Sequence, residues 1–208
     1  MAAEVRRGLF STAANESLET RVGIFEARTA ADDQIESLSS SLQERLGELE
    51  VGIAARLGDG ADLIVVDGPL FGRQSVPGAV GYIKTHRVAY LPEDLAGVVG
   101  QLSAGERSPL FVIKTSWTRF AWYLRLPGPA AHPWSGVVRL EASADLPLDQ
   151  VRSIADKTAL MLPTFASAPH KDPRAPQNLY PIGALERELR RRLGDTAFVQ
   201  RSLRMAAA

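Results

Sequence analysis

The sequence predicts an α/β domain built on a mixed sheet, and three observations carry that expectation. From about Gln34 to Leu57 apolar residues recur at spacings of three and four, the period of an amphipathic helix. Leu63-Ile64-Val65-Val66 follows as an uninterrupted apolar, β-branched run, which reads as a central strand buried on both faces. Strand-like and helix-like segments then alternate to the end of the chain.

Each element has its own reason. Arg21 to Arg28 alternates like a short strand. Asp32-Asp33 is a helix start, and Leu38, Leu42, Leu46, Leu49, Ile53 and Leu57 form the apolar stripe of the helix behind it. Gly58-Asp59-Gly60 stops that helix. The apolar strand ends abruptly at Asp67-Gly68-Pro69, and a loop with Pro77 and Gly78 leads to a strand over Val80 to Tyr90, with Lys84 inside it. Pro92 to Leu102 reads as a short helix, Leu110 to Ile113 as a buried strand and Trp134 to Leu140 as another strand. Trp117 to Leu126 is aromatic-rich, and its period does not choose between helix and strand. Leu148 to Leu162 and Ile182 to Leu193 read as amphipathic helices. Between them, Pro163 to Pro181 holds five prolines, so it is expected to be neither helix nor central strand but a long ordered arm. Long loops in compact domains are usually functional.

Composition bounds the function. At 208 residues the chain suits one domain, expected over 1–208 with the arm at 163–181 and a basic C-terminal helix. Lys+Arg and Asp+Glu are both 24, which excludes a wholly basic nucleic-acid binder. The charge is uneven, however. Residues 1–66 hold six Arg and no Lys against twelve acids, whereas Ser167 onward holds eight basic residues against four acids. The basic excess sits largely in Arg187, Arg190, Arg191 and Arg192, which either pair with Glu186 and Glu188 or form a phosphate-tracking strip. The absence of cysteine excludes disulfides, zinc ribbons and thiol catalysis. No apolar run approaches the roughly 20 residues of a membrane span, and no signal-peptide core opens the chain. A cytoplasmic protein without membrane contact is expected.

Asp67 is the most informative residue. An apolar strand delivers a carboxylate at its carboxyl end, the edge where ligands bind in open α/β sheets. There it suits a hard divalent cation, Mg²⁺ or Mn²⁺, or else it simply forms an Asp-Gly turn. A metal needs further ligands. On the preceding helix the apolar stripe spans about 80°, and Glu50 lies beside its edge while Glu44 and Glu48 face away. Glu50 is thus either a ligand or a boundary glutamate reaching to water. Lys84 either pairs with Asp67 or binds phosphate, or faces outward. His170, within the arm, is a metal ligand or general acid/base, or a surface residue. Trp117, Phe120, Trp122 and Tyr123, interleaved with Lys114, Arg119 and Arg125, either stack bases or form core with solvated charges. No phosphate-binding glycine loop, dinucleotide fingerprint, Gly-x-Ser-x-Gly elbow or His-Glu-x-x-His motif occurs.

Taken in order, a glutamate-bearing helix, LIVVDGPL, VGYIKTHRVAYLP, SPLFVI and the closing NLYPIGALERELR resemble the NurA nuclease family, from about Leu42 to Leu193. The resemblance implies a ribonuclease-H-like mixed sheet flanked by helices, and a manganese-dependent DNase that cuts single strands and resects ends beside the HerA translocase. It matches Asp67 to a metal-binding aspartate, Glu50 (or Glu48) to the helix glutamate and Lys84 to the lysine of the next strand. His170 or Tyr180 is matched to a late site residue. It further implies two metals about 4 Å apart, held by Asp67, Glu50 and His170. Arg187, Arg190 and Arg191 are expected to bind nucleic acid. Partners would be single-stranded DNA, DNA ends, a HerA-like hexameric ATPase and a second copy of the chain. The family also opens on a strand with another Asp-Gly motif, for which no counterpart is read here. The fold is therefore expected to lack that strand and the activity to be impaired. The alternative is a non-catalytic module binding DNA or an ATPase.

Overall fold

The computed structural model describes residues 7–10, 17–20, 23–28, 34–58, 60–88, 90–129 and 131–206. In chain order the elements are β1 (Arg7–Phe10), β2 (Ser17–Thr20), β3 (Gly23–Arg28), α1 (Ile35–Gly58), β4 (Ile64–Asp67), β5 (Ala79–Ile83), α2 (Glu93–Gln101), β6 (Phe111–Lys114), β7 (Thr118–Arg125), β8 (Val137–Ser143), α3 (Leu148–Met161), α4 (Tyr180–Leu193) and α5 (Thr196–Ala206). They divide into two units, Met1–Leu57 with Leu185–Ala208, and Gly58–Ala184. No helix among the described residues is long and apolar enough to cross a membrane.

The first unit holds a three-stranded sheet in the order β1-β3-β2, with β1 parallel and β2 antiparallel to β3. Only β3 is expected from the sequence. β1 and β2 are too short, at four residues each, to show a period. The long helix α1 is as predicted, but its stripe is not fully buried, since Leu42 and Leu46 are exposed. In α5 the Asp195 carboxylate accepts from the Ala197 and Phe198 amides at 2.7 and 3.2 Å, which caps the helix start.

The second unit is built on a five-stranded sheet in the order β4-β5-β8-β7-β6. β4 and β5 are parallel and the other pairs antiparallel, so the sheet is mixed and flanked by helices, as in a ribonuclease-H-like fold. The apolar run that reads as a central strand is instead its edge: β4 pairs with β5 alone within this sheet, and only Val66 is fully buried. β6 is likewise an edge strand with one buried residue, Ile113, rather than a buried strand. An apolar run does not by itself separate an edge with a covered face from a centre strand.

Of the central strands, β8 falls where a strand is read, and β7 comes from the aromatic stretch whose period does not choose between helix and strand. In β7, Trp122 and Leu124 point to one face and pack with Val138, Leu140, Val151, Ile154 and Ala155 against α3. The Trp122 Nε1 donates to Thr158 Oγ1 at 3.1 Å, which satisfies the indole inside that core. Tyr123 and Val137 point to the opposite face, beneath Val99 of α2. The aromatic segment is therefore core, and of its interleaved charges Lys114 is exposed while Arg119 and Arg125 are buried. Arg125 is buried and donates to the Val99 and Gly100 carbonyls at the end of α2, each at 3.2 Å. A cation there meets the negative end of the helix dipole.

The arm is also more regular than its prolines suggest. Leu162–Phe165 forms a turn of 3-10 helix with proline near its start, and Tyr180-Pro181 opens α4. Proline fits the first turn of a helix because the amide it lacks has no partner there.

Candidate active site

The carboxyl ends of β4 and β5 frame a cavity of about 370 Å³, lined by Asp67, Lys84, Arg87, Tyr90 and Arg139 among others. Asp67 is the last residue of β4, with 43% of its side chain exposed. Gly68 follows at φ 101°, a left-handed conformation that turns the chain sharply. Its amide donates to the Tyr82 carbonyl at 2.8 Å, fixing the turn onto β5.

Lys84 does not lie inside a strand as expected. β5 ends at Ile83, and Lys84 is the next residue. Its register still places it with Asp67: Asp67 pairs with Tyr82, and Tyr82 and Lys84 leave on the same side. The ammonium lies 2.8 Å from both carboxylate oxygens of Asp67. It also donates to Asn178 Oδ1 at 3.4 Å.

That second bond ties the site to the proline-rich arm. Asn178 is fully buried, and its amide donates to Asp172 Oδ2 in a short hydrogen bond. The Asn178 bond, helped by the Arg174 amide, holds the Asp172 carboxyl below the usual carboxylate range. Tyr82 donates its hydroxyl to the Gln177 carbonyl at 2.6 Å. Burial, and secondarily the charge of Asp67, push that phenol upward, so it stays protonated. The arm thereby braces Lys84 and Tyr82 through hydrogen bonds.

The sheet's other face contributes a buried ionic cluster that the sequence reading missed. Arg119 Nε donates to Glu141 Oε1 at 2.8 Å, and Arg139 Nη2 forms an ion pair with the same oxygen at 3.2 Å. All three side chains are at most 8% exposed. Tyr90 covers both guanidinium groups, with Arg139 Cζ 4.6 Å and Arg119 Cζ 5.6 Å from its ring centre. A signal was present: Arg139 and Glu141 stand two apart in the otherwise apolar VVRLEAS, so they share a face.

The other candidates fall elsewhere. His170 is exposed in a turn of the arm and does not line the cavity. Tyr180 is half-buried, with Lys171 Nζ 5.2 Å from its ring centre. Glu50 is an exposed residue of α1, in the first unit, and Glu48 pairs with Arg45 at 2.9 Å. On α4, Glu188 accepts from Arg191 and Arg192 at 2.8 Å each. Those bonds, Arg191 first, lower its carboxyl to about 2. Arg187 and Arg190 are exposed, without an ion-pair partner among the described residues. Self-pairing thus accounts for Arg191 and Arg192.

The fit to a divalent cation is partial. Asp67 is an accessible hard-oxygen ligand, but among the described residues no three His, Asp or Glu side chains converge on one point. Among the described residues, Asp67 is the one carboxylate lining this cavity.

A comparison with protein families finds that the model described as the NurA domain matches residues 8–190. The match begins well before Leu42, where the resemblance is read from the sequence, and takes in β1 to β3. No curated protein matches the chain.

Proposed function

The chain belongs to the NurA family, and so to a family of nucleases, and we propose that it cleaves DNA at the cavity around Asp67. The observation that carries this reading is the Asp67–Lys84 pair at the carboxyl ends of two parallel strands, 2.8 Å apart and open to solvent. A single-stranded DNA or a frayed end brings a phosphodiester to that edge. Lys84 orients the carboxylate through both its oxygens and offsets charge on the phosphate. Arg87 and Arg139 draw the polyanion into the cavity.

The cofactor in this reading is Mn²⁺ or Mg²⁺, with Asp67, Glu50 and His170 as the proposed ligands. Asp67 alone does not make such a site, and among the described residues no second carboxylate lines its cavity. Family membership supports a role in end resection and repair with a HerA-type ATPase, and a dimeric enzyme. Arg187 and Arg190 are the residues of α4 best suited to a DNA backbone.

One observation favours a second reading. The cavity gathers Lys84, Arg87 and Arg139 around a single described carboxylate, and such a set of cations holds phosphate without cutting it. The two readings separate on cleavage of a labelled single strand by the chain, in Mn²⁺ and in EDTA. Cutting in Mn²⁺ alone supports the nuclease. Salt-sensitive binding with no cutting in either buffer supports the module.

A further inference from the structure

We propose that Arg139 is a phosphate-binding residue of the cavity, distinct in place from Asp67, and that Glu141, Arg119 and Tyr90 are the positioning residues that hold it.

The argument starts from charge. Arg119, Arg139 and Glu141 are 5%, 6% and 1% exposed, so two cations share one buried anion. A buried cluster with a surplus cation is costly unless a further anion meets it. The two arginines are not equally satisfied. Arg119 donates to Glu141 and also to Thr115 Oγ1 at 3.1 Å. Arg139 makes the longer ion pair with the shared oxygen and also interacts with the Tyr123 side chain, but its Nε is buried without a hydrogen-bond partner. Arg139 is also the member of the cluster that lines the cavity. Lys84, the neighbouring cation, is already offset by Asp67. The surplus positive charge of this end of the sheet therefore resides on Arg139, with exposed Arg87 beside it.

Geometry then separates the two anion positions. Asp67 is in register with Tyr82, whereas Arg139 is in register with Ile83, the adjacent residue of the same strand. Adjacent strand residues project to opposite faces, so Asp67 and Arg139 reach the cavity from opposite sides of the sheet edge. The arrangement fits a second phosphate, either the next one along a strand or a terminal one. Tyr90 lies over the guanidinium, with Cζ 4.6 Å from its ring centre, and the planar group is suited to a forked contact with phosphate oxygens. This inference rests on the nuclease reading for a DNA strand as the source of phosphate, but its test does not depend on cleavage.

The test is binding by the full chain, in EDTA, to short labelled oligodeoxynucleotides carrying either a 5′-hydroxyl or a 5′-phosphate, over a series of salt concentrations. Arg139→Met is expected to weaken binding about tenfold or more, and the slope of log affinity against log salt is expected to fall by about 1. Loss with both oligonucleotides assigns the contact to an internal phosphodiester, and loss with the 5′-phosphate alone assigns it to a terminal phosphate. Wild-type affinity and slope with both overturn the proposal. Should Arg139→Met fail to fold, the wild-type Arg Nε–Hε resonances decide. Arg139→Lys keeps the charge and identifies the Arg139 signal by its disappearance. Movement of that signal on titration with inorganic phosphate supports the site, and a fixed signal overturns it. A chain that binds through Arg139 and never cuts overturns the nuclease reading while leaving this one standing.

Discussion

Lys84 Nζ and the Asp67 carboxylate are 2.8 Å apart, joined across the carboxyl ends of the parallel strands β4 and β5. With side-chain exposures of 24% and 43%, the pair is open enough to exchange its partner for substrate. Such exposed pairs contribute little to stability, on the order of 0–1 kcal/mol. Lys84→Met is therefore expected to leave the melting temperature nearly unchanged and to slow DNA cleavage by roughly 10²-fold. Thermal melting beside single-turnover cleavage checks both halves. A large loss of stability with unchanged cleavage would make the pair structural.

Glu141 behaves in the opposite way. It is buried and is the shared acceptor of Arg119 and Arg139. Glu141→Gln keeps the shape and leaves two buried cations without their anion. A cost of about 3 kcal/mol is expected, lowering the melting temperature by roughly 6–12 °C. Denaturant unfolding that shows no change would remove the cluster from the account of stability.

Gly81 stands opposite Glu141 on β5, and the loop after Asp67 closes over it. A Cβ at this position would lie 2.8 Å from the Leu70 amide nitrogen and 3.1 Å from the Gly68 carbonyl oxygen. Both are backbone atoms, so the turn itself has to move. Gly81→Ala is expected to cost about 1–3 kcal/mol and to displace the turn that carries Asp67. At a temperature where the variant is fully folded, its cleavage should still be well below wild type. Full activity there would show that the turn tolerates the shift.

His86 sets a pH dependence of stability. Its Nε2 lies 2.9 Å from the Val137 carbonyl and so carries the proton, while Nδ1 is buried without a partner. Burial first, and the charge of Arg139, lower its pKa, against the opposing pull of the Val137 bond. With the folded value depressed, the unfolded chain binds the extra proton more readily. The contribution is fully present above the unfolded value near 6.5 and is lost as pH falls below it toward the folded one. His86→Phe keeps a ring against Tyr123 and Trp134, which lie 5.8 and 5.3 Å away by ring centres, and should flatten this loss. Equal slopes of stability against pH for the two proteins would contradict it.

What the sequence revealed follows from which patterns are local. The periods of α1 and α3 and the apolar run ending at Asp67 are local, and each appears where it is read. The Asp67–Lys84 pairing is one of the alternatives read for Lys84, and the parallel register of β4 and β5 selects it. Strand order is not local. β4 and β6 read as interior strands and lie at the two edges of their sheet, while aromatic β7 lies inside it. The buried Arg119–Glu141–Arg139 cluster was missed because its members come from two strands whose register no short window contains. Asn178 was read as part of a family motif, but its bond to Lys84 depends on how the arm returns to the sheet.

The most direct test of the central claim is cleavage of a labelled single-stranded DNA in Mn²⁺ by wild type beside Asp67→Ala, a substitution at an exposed position that folding should tolerate. The account predicts cutting by wild type and none above background by the variant. Equal cutting by both proteins would place the chemistry away from Asp67 and contradict the assignment.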